Sequence, residues 1–385
     1  MYVYKRHHHP DSGVVTMAQQ IYFGACSARQ MNDWLQSLHG HKFLLVCDDA
    51  FHQLPIKAAI TACGVPYVPF SEFTSNPLYE DVCEGVWKFH HEQCDAVVAV
   101  GGGSALDVAK CIKLFAKADP NRNYLEQEWC GSDIPLIAVP TTAGTGSEST
   151  RYAVIYYGGK KNAVTHACIV PDIAVLDSRV LHTLPLYQKK CTMLDALCQG
   201  IESWWSVNST AESREYSELA VRLIMDNYRR YIFHNDKQAA GQVMLAANYA
   251  GRAIHIAQTT APHAMSYQLT SLYRLPHGHA VAVCLPHVWR YMQQHPQACI
   301  DGRGEDFLVA TFSEIAQAIG EHTAEDAAAR LDALLAELSI QPPISHRRSE
   351  DIPLLTKSVN PIRLKNNPIA LSDDVLFGLY TSIVQ

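Results

Sequence analysis

The chain has 385 residues, 48% hydrophobic and 18% charged, with a formal net charge of −7. That length holds two domains with substantial cores. The mildly acidic balance, with no Lys/Arg run, excludes a nucleic-acid-binding stripe, so an anionic ligand must be met by local positive charge.

No stretch of about 18 apolar residues occurs, so no membrane span is expected. The 12 cysteines include no CxxC pair. They read as reduced, mostly buried small hydrophobes of a cytoplasmic protein, not as a zinc ribbon or disulfide framework. Residues 1–19 lack a signal-peptide core and carry His7, His8 and His9; they are expected to form a disordered extension.

Phe43 to Cys47 (FLLVC) then reads as a buried strand, Lys57 to Cys63 as helix, and Pro66 to Phe70 as a short strand. Tyr79 to His91 is helical, Asp95 to Val100 a strand running into glycines, Ser104 to Ala116 a helix, and Pro135 to Val139 a strand. Continuous apolar strands alternating with helices predict a parallel sheet covered on both faces. Tyr152 to Tyr157, Ala163 to Ile169 and Ile173 to Leu176 add extended segments, with a hairpin around Gly158 and Gly159. After Pro185 the periodicity becomes helical, as in Lys189 to Trp205, Ala211 to Tyr231, Gln238 to Ala257, Glu305 to Ile319 and Ala324 to Leu338. The expected organisation is an α/β nucleotide-binding domain over 20–184 and an all-helical domain over 185–385. The cleft of such a pair is the default site.

Gly101, Gly102 and Gly103 followed by Ser104 let backbone N–H groups approach a ligand closely at a helix N-terminus, where a phosphate is stabilised. Ser104 reads as the N-cap and Asp107, three residues on, as the acidic member of a capping box. The same glycines also suit a plain strand-to-helix turn, and GxGxxG is absent. Pro140 to Glu148 (PTTAGTGSE) forms a second small-residue turn, whose hydroxyls suit phosphate or ribose. Two such turns after adjacent strands favour a nucleotide. Asp48, closing the first of these strands, can accept ribose hydroxyls and repel a 2′-phosphate, favouring NAD(H) over NADP(H). It is nearly as well read as a surface-turn residue, with Asp49 beside it.

Asp195 and Gln199 stand at i, i+4 on one helix face. His263 and His277 begin later helical segments. A carboxylate and imidazoles suit a divalent first-row metal, although 19 histidines allow chance clusters.

Taken together, GGGSALDVAK (101–110), PTTAGTGSEST (140–150), LDALCQGIESWW (194–205), the segment around His263 and LPHGHAVAVCLPHV (275–288) resemble the iron-containing, type III, alcohol dehydrogenases. The resemblance implies a dinucleotide-binding domain, a helical metal-binding domain and a homodimer. It implies Asp195, His263 and His277 as metal ligands, with Gln199 where most members have histidine. Fe2+ is the favoured metal and Zn2+ the alternative. The candidate cofactor residues are Asp48, Gly102, Gly103, Ser104, Asp107, Thr141, Thr142, Ser147 and Lys161. Tyr267, at a position close to the nicotinamide and substrate, and His279 are the candidate proton donors.

A narrower similarity links Glu148 to Tyr156, Ser203 to Arg214, and Asn360 to Pro368 (NPIRLKNNP) with phosphonoacetaldehyde reductases of phosphonate biosynthesis. It implies a small anionic aldehyde whose head Arg151 and Arg363 bind. Both arginines are almost equally well read as structural ion-pair residues. The expected reaction is NAD(P)H-linked reduction of phosphonoacetaldehyde to 2-hydroxyethylphosphonate. Rival readings are a type III dehydrogenase for an uncharged aldehyde or diol, a lyase of the dehydroquinate-synthase kind, and a binding protein without metal.

Overall fold

The computed structural model describes residues 19–24, 26–37 and 42–385. The predicted His7 to His9 extension lies outside the described residues. Gln19 belongs to the fold, because its Nε2 donates to the carbonyls of Glu148 and Pro171 at 2.5 and 3.0 Å. The chain divides into two compact units, one ending at Thr183 and the other running Leu184–Gln385.

In the first unit the order is β1 (Gln20–Phe23), α1 (Ser27–Ser37), β2 (Phe43–Cys47), α2 (Ile56–Thr61), β3 (Tyr67–Phe70), α3 (Tyr79–His91), β4 (Ala96–Gly101) and α4 (Gly103–Phe115). It continues with β5 (Leu136–Pro140), β6 (Tyr152–Tyr157), β7 (Lys160–Thr165) and β8 (Ile173–Leu176). Six strands form a wholly parallel sheet in the order β1-β8-β5-β4-β2-β3. Every residue of β2, β4, β5 and β8 is buried, which is why these strands read as unbroken apolar runs. The edge strand β1 is only partly covered and carries a correspondingly weak signal.

β6 and β7 pair antiparallel about Gly158 and Gly159, whose φ values of +57° and +73° favour glycine. The extended segment expected over Ala163 to Ile169 is cut short. The His166 side chain accepts from the Cys168 N–H and turns Ala167–Ile169 into a 3₁₀ helix.

The second unit is helical among its described residues: α5 (Leu186–Trp205), α6 (Ala211–His234), α7 (Lys237–Ala257), α8 (Ala261–Tyr273), α9 (His277–Gln294), α10 (Glu305–Ile319), α11 (Ala324–Glu337), α12 (Arg348–Ser358), α13 (Pro361–Leu364) and α14 (Asp373–Ile383). Its core includes an aromatic cluster of Trp205, Trp289 and Phe312, the two indoles meeting edge to face at 5.4 Å. No described helix is long and apolar enough to cross a membrane. Cys47, Cys63, Cys94, Cys111, Cys191, Cys198 and Cys284 are buried, and all 12 cysteines are free thiols.

Candidate functional site

In the first unit, strand order reverses between β2 and β4: β3 lies beyond β2, while β5, β8 and β1 lie beyond β4. Open parallel sheets bind ligands at the carboxyl ends of strands flanking such a switch. Cys47 pairs with Val100, and Gly101 with Pro140. Asp48, the glycine turn and Thr141–Thr142 therefore leave the sheet side by side. The Thr141 N–H donates to the Gly101 carbonyl at 3.0 Å.

A Cβ on Gly101 would fall 2.5 Å from the Ala105 Cβ, and one on Gly103 2.9 Å from Thr145 Cγ2. The turn tolerates no side chain at either place. Asp48 Oδ2 borders the same turn, 3.4 Å from where the Gly101 Cβ would stand. Partial burial raises the Asp48 carboxyl above its usual range, against a 3.0 Å hydrogen bond from the Ala50 N–H.

Two expectations about this turn are corrected. α4 starts at Gly103 with Gly102 as N-cap and no side-chain cap, which leaves its first N–H groups open to an anion. Ser104 Oγ donates instead to the Ser75 carbonyl at 2.5 Å. Asp107 lies in the second turn, beyond the orphan N–H groups, and forms no capping box. Its oxygens accept from Ser147 Oγ at 2.8 Å and the Val154 N–H at 2.9 Å.

Lys110, which the sequence reading passed over, is fully buried. It donates to Ser147 Oγ, Thr150 Oγ1 and the Tyr152 carbonyl at 2.8, 3.0 and 2.8 Å. Burial lowers its pKa to about 8, opposed by Asp107 and Glu148. Asp107, Lys110 and Ser147 thus brace the second turn from behind. Lys161 is exposed on β7 opposite Tyr156. Burial raises the Asp107 carboxyl, and Lys110 with the more weakly felt Lys161 pulls it back.

In the second unit, α5 presents Asp195, Gln199 and Glu202 at i, i+4 and i+7, on one face. His263 sits in the first turn of α8, and His277 opens α9. Asp195 Oδ1 lies 3.3 Å from His263 Nε2 and 3.9 Å from His277 Nε2. One ligand atom from each of the three lies within 4.8 Å of the others. Asp195 Oδ1, Gln199 Oε1 and His263 Nε2 are three of the eight buried side-chain polar atoms without a hydrogen-bond partner among the described residues. Buried polar atoms are normally paired, so three orphans on neighbouring residues mark a place for an ion. A carboxylate oxygen, an amide oxygen and two imidazole nitrogens fit a divalent metal such as iron(II) or zinc.

Glu202 is the site residue that sequence reasoning missed; its place on the Asp195 face was the available signal. His263 Nδ1 donates to its Oε1 at 2.5 Å, so that in the neutral ring Nε2 carries the lone pair that a metal would take. Oε2 accepts from Thr260 N–H and Oγ1 at 2.8 and 3.0 Å. Burial disfavours a charged His263, but Glu202 and Asp195 outweigh it and lift its pKa to about 9. Burial likewise pushes the Asp195 carboxyl up, and its contacts with His263 and His277 bring it below the usual range. Gly278 closes the arrangement: a Cβ there would lie 2.0 Å from the Cys191 carbonyl oxygen and 2.8 Å from the Asp195 Cβ.

The Tyr267 ring stacks on His277, with centroids 6.0 Å apart and planes within 6°. The Arg363 guanidinium carbon lies 5.9 Å from the centre of the Tyr267 ring. Arg151, in the first unit, sits against Tyr152, donating from Nε to its hydroxyl at 3.3 Å. His279 lies apart from this stack. Two residues beyond His277, it projects from another helix face. It is buried, with Nε2 donating to the Gln341 carbonyl at 2.7 Å and Nδ1 accepting from the Tyr187 hydroxyl at 2.8 Å. Burial lowers its pKa, against the Gln341 carbonyl, and the ring bridges Tyr187 and Gln341.

A family model described as iron-containing alcohol dehydrogenase matches residues 18–178, and its C-terminal counterpart matches 190–384. A probable alcohol dehydrogenase of Escherichia coli, EutG, is 30% identical over 89% of this chain and 88% of its own. A phosphonoacetaldehyde reductase of Streptomyces viridochromogenes is 33% identical over 74% and 75%. The crystal structure of sulfoacetaldehyde reductase from Bifidobacterium kashiwanohense in complex with NAD+ superposes with a TM-score of 0.86 at 25% identity, covering 97% of this chain and 99% of that one.

Proposed function

The chain belongs to the iron-containing alcohol dehydrogenase family, metal-dependent and nicotinamide-linked oxidoreductases of alcohols and aldehydes, and from that premise we propose that it reduces phosphonoacetaldehyde to 2-hydroxyethylphosphonate. The observation that carries this reading is the stack of Arg363 on Tyr267 on His277, a fixed cation one aromatic ring away from a metal ligand. A planar guanidinium binds a tetrahedral anionic head in bidentate fashion. The similarity to reductases of phosphonoacetaldehyde and sulfoacetaldehyde, both short aldehydes with such heads, supports the same class.

When bound, the metal polarises the carbonyl oxygen and the reduced nicotinamide supplies the hydride. The chain's own residues do the rest. Asp195, Gln199, His263 and His277 hold the metal, with Glu202 fixing the His263 tautomer. The glycine turn and the open first turn of α4 take the pyrophosphate. Asp48 accepts the ribose hydroxyls, which favours NADH. Arg363, with Arg151 as the second candidate, holds the anionic head, and the Tyr267 phenol supplies the proton that completes the alcohol.

The test is NADH and NADPH oxidation by iron(II)-reconstituted protein with phosphonoacetaldehyde beside an uncharged aldehyde of similar size. Strong preference for the phosphonate is expected. Equal rates would leave the dehydrogenase and remove the phosphonate.

A further inference from the structure

Arg363 rides on α13, a helix of only four residues, Pro361–Leu364. So short an element cannot hold an arginine in place by itself. The segment is anchored just beyond, at Asn366, where every polar group is used. Its N–H donates to the Arg363 carbonyl at 3.4 Å, and its carbonyl accepts from the Val207 N–H at 3.1 Å. Its Oδ1 accepts from Asn208 Nδ2 at 2.9 Å. Its Nδ2 donates to Gln258 Oε1 at 3.1 Å and to the Thr259 carbonyl at 3.2 Å. The amide has one workable orientation, since flipping it would set NH₂ against NH₂ and oxygen against oxygen.

The turn on the far side of these bonds is itself unusual. Gln258 has φ +62° and ψ 173°, a region that essentially only glycine enters freely. The strain is held from two sides. Asn366 grips Gln258 and Thr259, and Glu202 grips Thr260 through its N–H and hydroxyl. Glu202 is also the residue that orients His263. One three-residue turn therefore joins the Arg363 segment to the metal-ligand helix.

We propose that Asn366 is the positioning residue of the anion-recognition site: by clamping the α13 segment to the Gln258–Thr260 turn, it fixes the Arg363 guanidinium at the distance from the metal ligands that a short anionic aldehyde requires. This rests on Arg363 binding the anionic head. A misplaced guanidinium weakens binding of a charged head and leaves an uncharged aldehyde unaffected.

The experiment is steady-state kinetics of the full-length, iron(II)-reconstituted protein with phosphonoacetaldehyde and with propanal, for wild type, Asn366→Ala, Asn366→Asp, Gln258→Gly and Arg363→Ala. Both Asn366 variants are expected to raise the phosphonoacetaldehyde KM by about tenfold or more, with kcat and the propanal KM within about twofold of wild type. Asn366→Asp keeps the acceptor for Asn208 and loses only the donor, so it separates the clamp from the rest of the residue. Gln258→Gly removes one acceptor at a position whose backbone suits glycine. It should melt no lower than wild type and raise the same KM by about threefold. If the Asn366 variants do not fold, Gln258→Gly decides: an unchanged phosphonoacetaldehyde KM in that folded protein overturns the proposal. Arg363→Ala raising KM while folded Asn366 variants do not would overturn the clamp alone. Arg363→Ala without effect would overturn the anion site itself.

Discussion

Glu202 Oε1 sits 2.5 Å from His263 Nδ1, while Oε2 of the same carboxylate takes the Thr260 N–H at 2.8 Å. One side chain thus sets both the tautomer of His263, a proposed metal ligand, and the entry of the helix that carries it. An amide has a single acceptor oxygen and cannot do both. Glu202→Gln is expected to weaken metal binding by about 10–100-fold, read as a dissociation constant from competition with a chromogenic chelator. Wild-type affinity in a folded variant would refute the role.

Gly278 meets the Cys191 carbonyl so closely that alanine has no room. Gly278→Ala should push the start of α9 away from α5 and carry His277 off Asp195. We expect a loss of at least about 2 kcal/mol in stability, together with weaker metal binding. Thermal melting and metal titration test it, and an unchanged melting temperature would show that the helices yield without cost.

Lys110 gives a pH signature. Its folded pKa of about 8 lies below the ordinary 10.5. Between those values the unfolded chain holds a proton that the folded chain has released, so this group adds stability as pH rises from about 8 to 10.5, withdraws it as pH falls back across the same window, and changes nothing further below about 8. The contribution is at most about 3 kcal/mol. Lys110→Met should abolish it. The readout is the wild-type-minus-variant difference in unfolding free energy across that window, and a flat difference would contradict the prediction.

Asp48 lies against the glycine turn at the strand-order switch. On the proposed reading, Asp48→Ser removes a charge that would repel a 2′-phosphate. The ratio of kcat/KM for NADH to that for NADPH should fall by about tenfold. An unaltered ratio would mean that the adenosine ribose is read elsewhere.

The strands β2, β4, β5 and β8 were legible because burial on both faces leaves a continuous apolar imprint, whereas β1, QIYF at the partly covered edge, leaves little. The clustering of Asp195, His263 and His277, with Gln199 one turn along α5, was legible from helical spacing and family resemblance. Glu202 was not, because its meaning depends on His263, 61 residues away. Lys110 was hidden for the same reason. A lysine in a helix normally faces water, and the acceptors that bury this one lie 37 to 42 residues along. His279 shows the converse: nearness to His277 in sequence is not nearness on a helix face.

Because α5 bears Asp195, Gln199 and Glu202 along a single face, position 199 can change its side chain in place, but the segment cannot take an insertion. Gln199 stands one turn beyond Asp195 without disturbing its neighbours. One residue added between Asp195 and Glu202 would turn all that follows by about 100°. Glu202 would then face away from His263, however suitable the inserted side chain. Within this segment the arrangement accepts replacement only at constant length.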